Sequence, residues 1–173
     1  SQNSHNSHNS HKKMITLTIK INEIIYDIQN KTYLTGKSRA DGANHQQVAQ
    51  MMANEDEENA NQIRRSIHTA LGEIRTRLAE YHHTDISAVS NLYDDTEDTV
   101  TLQCAFPSNF NTAALAGIAA TIHEYVVARA VADWFTITHK ADAEDYRKTA
   151  SLCLDTLAEA VSKRIRPTRK ISD

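Results

Sequence analysis

The chain has little of what builds turns and cross-links: four glycines, two prolines and two cysteines in 173 residues. So few turn formers exclude a fold of many short strands and favour a small number of long helices. Cys104 and Cys153 stand far apart without a CxxC pairing, which excludes a disulfide framework and a thiol-rich metal site. Both thiols read as small core hydrophobes of a reduced intracellular compartment. The charge balance of −3 argues against a dedicated nucleic-acid binder, whose domains carry a marked basic excess, although local patches remain open. No run reaches the roughly 18 apolar residues of a membrane span, and no apolar h-region of a secretory signal is visible. The expectation is a soluble protein with no membrane partner. At this length one domain can bury its own core.

Residues 1–13 repeat Asn-Ser-His, with His5, His8 and His11 three apart and nothing apolar between them, so disorder or an affinity tag is expected. A single helical domain is expected over 14–166, followed by a basic extended tail over 167–173. Ile15, Leu17, Ile19 and Ile21 alternate with polar residues, the period of a strand over Met14 to Lys20. Asn22 is placed to cap a helix with Ile24, Ile25, Ile28 and Tyr33 on its apolar face, ended by Gly36. Residues 37–44 read as a loop, and His45 to Ala53 as a helical segment. Asn54 is the expected cap of the next helix, whose first turn carries the acidic run Glu55-Asp56-Glu57-Glu58. Its apolar residues Ile63, Ile67, Leu71, Ile74, Leu78 and Tyr81 recur at steps of three and four, while its Arg and Glu residues read as a solvated face. A β-hairpin is expected near 88–105, with Val89 and Leu92-Tyr93 on one arm, Asp94 to Asp98 as the turn, and Val100, Leu102 and Cys104 on the other.

Two helices fill the last third. Between Asn109 and Thr138, a stretch of roughly 45 Å at helical rise, Leu115, Ile118, Ile122, Val126, Ala130 and Trp134 form one stripe, widened by Val127, Val131 and Phe135. This surface looks larger than one small bundle covers, which points to oligomerisation. Leu115, Ile118, Ile122, Val127, Val131, Trp134 and Phe135 are accordingly candidates for subunit contacts. Arg129 and Asp133, four apart, are expected to pair. Ser108, Asn109 or Asn111 can cap the helix. The last helix, Asp142 to Arg164, shows Tyr146, Ala150, Cys153, Leu154, Leu157 and Val161 on one face and should pack antiparallel on its predecessor.

No reactive constellation emerges. His123-Glu124 opens like a zinc-protease helix, yet the second histidine is replaced by Val127. His82-His83-Thr84-Asp85 reads as a solvated helix end, and the acidic turn near Asp94 lacks the glycine and closing glutamate of a calcium loop. No enzyme activity, catalytic residue, metal or cofactor is expected. The best functional candidate is the basic tail, where Lys163, Arg164, Arg166, Arg169 and Lys170 place five cations in eight residues. The competing reading of equal weight is a helix C-cap followed by a solvated tail.

Phe106-Pro107-Ser108-Asn109-Phe110, Ile122-His123-Glu124-Tyr125-Val126-Val127, Ala132-Asp133-Trp134-Phe135, Tyr146 and Arg164-Ile165-Arg166-Pro167-Thr168-Arg169 carry a resemblance. Through them the chain resembles small virion structural proteins of bacteriophages and prophages of Bacteroides-type hosts, and its helical layout is similar to the head-to-tail connector (adaptor) proteins of tailed phages. The resemblance implies a helical bundle with a small β element and no catalysis. It also implies a homo-oligomeric ring docked under the portal around the DNA channel, in a virion assembled in the host cytoplasm. The basic residues would meet the portal, an adjacent neck or tail protein, or double-stranded DNA. The strand at Met14 to Lys20 and the Asn-Ser-His segment have no counterpart in that pattern, so a tail-completion or neck protein fits equally. A helical DNA-binding regulator is a further alternative, but no compact helix pair with a basic recognition face is present.

Overall fold

The computed structural model describes residues 12–81 and 98–169. The architecture is mostly α with one small sheet, in the order β1 (Lys13–Lys20), α1 (Ile21–Ser38), α2 (His45–Met51), α3 (Glu57–Arg77), β2 (Thr99–Phe106), a 3-10 turn at Thr112–Ala114, α4 (Leu115–Thr138) and α5 (Lys140–Val161).

β2 forms as expected and pairs with the N-terminal strand; the other arm of the expected hairpin lies outside the described residues. β1 and β2 run antiparallel in register from Lys13↔Phe106 to Lys20↔Thr99. The bond from Ile21 N–H to Asp98 O at 2.8 Å extends the ladder. Val89, Leu92-Tyr93 and most of the acidic turn lie outside the described residues. Leu17, Ile19, Leu102, Cys104 and Phe106 face the core, so the alternation expected of β1 correctly marks its buried side.

α1 begins directly at the end of β1, one residue before the expected cap. Lys20 takes the cap position, and the Asn22 side chain accepts only from Glu23 N–H. The helix also runs past Gly36, which lies where a Cβ would come within 3.4 Å of both Met51 Cβ and Val48 O; glycine here permits close approach of α2 and does not stop the helix. Tyr33, expected on the buried face, is 45% exposed, and Thr32 is buried in its place. The Thr32 hydroxyl donates to Gln29 O and accepts from Ala53 N–H, satisfying a buried amide just after α2. The true turn of the segment after α1 is Gly42, at φ +86°.

α2 stops at Met51, two residues short of expectation, and α3 is capped at Asp56 where Asn54 was expected. Asn54 Oδ1 still organises the turn, accepting from Asp56 N–H and from the Asn59 amide. The α3 stripe is as spaced: Ile63, Ile67, Leu71, Ile74 and Leu78 are buried, with Tyr81 half-buried beyond the end of the helix.

α4 is the centre of the molecule, packed by α5 on one side and by α3, α1, α2 and β1 on others. Asn111 caps the 3-10 turn that precedes it, its Oδ1 accepting from Ala113 N–H. Here two expectations are corrected. The segment Thr112–Thr138 does reach the length and mean hydropathy, 1.3, that a membrane span requires, and half of its apolar window is buried inside the protein. The apolar surplus assigned to neighbouring subunits is covered by the chain itself: Ile118, Ile122, Val127, Val131, Trp134 and Phe135 are buried in the core, and Leu115 is half-buried against it. A helix apolar on most of its circumference is central in its own bundle as readily as it is interfacial.

α5 starts two residues earlier than expected and, after the single residue His139, doubles back antiparallel on α4. Ala150, Cys153, Leu157 and Val161 form its buried face, with Tyr146 and Leu154 at the margin.

Polar groups tie these helices together. Arg129 pairs with Asp133 as its spacing indicated, and also with Glu73 of α3 at 3.2 Å. The Tyr125 hydroxyl donates to the same Glu73. Burial, then that carboxylate, pushes the Tyr125 phenol far up, with Arg129 opposing. At the other end the buried carboxylate of Asp142 accepts from Arg39 at 2.5 and 3.3 Å and lies 2.9 Å from His139 Nδ1, joining the end of α1 to the α4–α5 corner. The Asp142 hydrogen bond and charge raise the Arg39 guanidinium further.

The two thiols are core residues as expected, Cys104 fully and Cys153 nearly so. Burial pushes Cys104 up, and burial together with the charge of Glu124 pushes Cys153 up to about 11. Because the fold favours the neutral thiol, this contribution is fully present below the ordinary value of 9.0 and is lost as pH rises through about 11. Alkylation by iodoacetamide near neutral pH should therefore be slow in the native protein and fast in denaturant. Equal rates in the two states would contradict the burial of Cys153.

Candidate functional site

Sequence pointed to the basic tail, and the structure places four of its five cations in different situations. Lys163 is exposed and pairs with Glu159 one turn back at 3.0 Å, an ordinary surface pair. The Arg164 guanidinium donates to Val161 O and Lys163 O, covering carbonyls at the C-terminus of α5. Arg164 thus acts as a cap, while Lys163 makes only a side-chain pair. Arg166 and Arg169 are exposed, and neither makes an ion pair among the described residues. Lys170 lies outside the described residues.

The unexpected feature is the anchor of this tail. Arg164 forms an antiparallel β-bridge with Phe110. Asn111 N–H donates to Lys163 O at 3.1 Å, and Ile165 N–H to Asn109 O at 2.8 Å. Phe110 is fully buried and stacks on Phe106 with ring centroids 4.2 Å apart; Phe106 in turn meets Tyr81 at 5.0 Å. Lys13 Nζ donates to Phe110 O at 3.1 Å, bringing the start of β1 to the same point. The tail therefore leaves from a fixed direction beside the N-terminus of α4. Its signal in the sequence was Phe106-Pro107-Ser108-Asn109-Phe110, read there only as the end of a hairpin.

A second surface was missed. At the opposite end of α4, Glu55, Asp56, Glu57 and Glu58 are all exposed, and none joins an ion pair within the chain among the described residues. They form a ridge between two grooves. The larger, 660 Å³, has Glu58, Gln62 and Gln50 on its walls with Trp134 and the exposed Ile137. The smaller, 490 Å³, is lined by Tyr26, Tyr33, Gln29, Asn30 and Glu55. Tyr26 and Tyr33, seven residues apart on α1, are 63% and 45% exposed. Trp134 Nε1–H donates to Met51 O at 2.7 Å, holding the end of α2 against α4 and so fixing the base of the ridge.

Among the described residues the other titratable groups are joined in pairwise ties between elements. His123 Nε2 lies 2.6 Å from Asp27 Oδ2, a tie between α4 and α1 beside a shallow groove. Among the described residues no three His, Cys, Asp or Glu side chains are grouped to hold a metal ion. The Asn-Ser-His repeat and His82-His83-Thr84-Asp85 lie outside the described residues. No family model, curated protein or solved structure matches this chain.

Proposed function

We propose that the chain is a structural subunit of a tailed-phage virion, a head-to-tail connector (adaptor) that assembles into a homo-oligomeric ring at the portal in a Bacteroides-type host cell. The observation that carries this reading is the basic tail rooted by backbone hydrogen bonds on the helical body, with Arg166 and Arg169 exposed and making no ion pair among the described residues. Cations held in a defined direction suit docking on an acidic surface, whether a portal, an adjacent neck or tail protein, or DNA in the channel. The helical layout with a small sheet is compatible with that role. The burial of the α4 stripe removes those residues from the subunit contact and leaves it to exposed, charged and aromatic surfaces. The reading assigns no catalytic step, cofactor or metal to the chain.

The test is the solution mass of the full chain by light scattering across a concentration series at low and high salt. The expected result is a concentration-dependent rise from monomer to a defined multiple, weakened by salt because exposed charges make the contact. A monomer at every concentration and salt would overturn the ring.

A further inference from the structure

We propose that Arg166 and Arg169 of one copy dock on the Glu55-to-Glu58 ridge of the next, the guanidinium groups entering the groove between Tyr26, Tyr33 and Glu55. The contact rests on the ring proposed above and deepens it by naming the two surfaces joined.

Three observations carry it. First, the charges are complementary: four exposed carboxylates on one surface, of which Asp56 accepts from the Asn54 amide, and two exposed guanidiniums on the other, with no ion pair to either set among the described residues. Second, the smaller groove has the composition of an arginine site, two exposed tyrosine rings for stacking and a carboxylate for pairing. Lys37 Nζ already lies 5.8 Å from the Tyr33 ring centroid, so this surface attracts a cation within its own chain. Ile165, 53% exposed beside the two arginines, adds apolar contact to the docking segment.

Third, the two surfaces do not meet within one chain: Arg166 and Arg169 lie just beyond the root at Asn109 to Asn111, and neither pairs with Glu55, Asp56, Glu57 or Glu58 of its own chain. The ridge is left for the tail of another copy. Two different surfaces, one donating and one accepting, suit a heterologous, head-to-tail contact, the type that closes into a ring when the rotation per subunit divides a full turn.

The experiment compares the assembly midpoint by light scattering for the full chain, a tail variant (Arg166→Glu with Arg169→Glu), a ridge variant (Glu55→Lys, Glu57→Lys and Glu58→Lys) and one chain carrying both sets. All substituted side chains are exposed, and circular dichroism checks that the helices are retained. Each single set is expected to raise the midpoint by about tenfold or more. The doubly reversed chain, and an equimolar mixture of the two single-set variants, should recover assembly, because each reversed tail then faces a reversed ridge. Tyr26→Ala with Tyr33→Ala should weaken assembly without altering net charge. An assembling wild type whose midpoint neither charge set changes, or a charge swap that restores nothing, overturns this contact and leaves the ring standing. A wild type that never assembles overturns both. Loss of DNA retention by the tail variant with its mass unchanged assigns the tail to DNA and also overturns the contact.

Discussion

Phe110→Ala is expected to destabilise the fold by about 3–5 kcal/mol and at the same time to release the C-terminal tail. The ring is completely buried and stacked on Phe106, so truncation removes the apolar transfer of a whole aromatic side chain and leaves a void that β2 and the Tyr81 ring cannot easily fill. The second effect follows from the backbone. Phe110 bridges Arg164, and its flanking residues exchange hydrogen bonds with Lys163 and Ile165. Once the ring no longer pins residues 109–111, those bonds lose their fixed frame. Chemical denaturation followed by circular dichroism reads the first effect, and hydrogen exchange at the Ile165 amide the second. Phe110→Leu, which keeps most of the volume, should cost far less and keep the amide protected. A loss below about 1 kcal/mol for the alanine variant would contradict the packing described.

Trp134→Ala should cost a similar amount, about 3–5 kcal/mol, while acting at the opposite end of α4. The side chain is 6% exposed and its indole N–H satisfies Met51 O, the carbonyl at the end of α2. Trp134→Phe separates the two contributions: the ring is partly retained, the donor is lost, and an unsatisfied buried carbonyl costs roughly 1–3 kcal/mol. Both variants loosen the turn that carries the acidic ridge, so both should weaken assembly beyond what lost stability explains. As the only tryptophan, Trp134 also reports on the wild type, whose emission should be blue-shifted when native and move to the red on unfolding. Native emission typical of solvent-exposed indole would place this residue wrongly.

Much of the helical framework was legible because periodicity records which face of an element is buried. The steps from Ile63 to Leu78 and the alternation from Ile15 to Ile21 both survive intact. Periodicity does not record what does the covering. The strand character of β2 was legible, but not its pairing with a strand some eighty residues earlier, because alternation carries no record of a distant partner. The same blindness affected α4, where a surplus of apolar residues was assigned to another subunit and is absorbed by α5, α3 and α1. Caps were misplaced by two residues because Asn22 and Asn54 compete with neighbours whose backbone position is set by packing. At the candidate site, the cationic content of the tail was visible, while its root was not. The bridge from Phe110 to Arg164 spans a long stretch of sequence, and nothing local distinguishes an anchored cationic tail from a solvated one. The acidic ridge was read only as helix-dipole chemistry, since the exposure of Tyr33 beside it depends on Thr32 taking the buried position.

The most direct test of the account is native mass spectrometry of the full chain at concentrations where light scattering shows assembly. A closed ring predicts one dominant integer multiple of the monomer mass, with few species between it and the monomer, and collapse to monomer when Arg166 and Arg169 are both replaced by glutamate. A monomer alone, or an unbroken ladder of sizes with no preferred number, would contradict a ring-forming subunit.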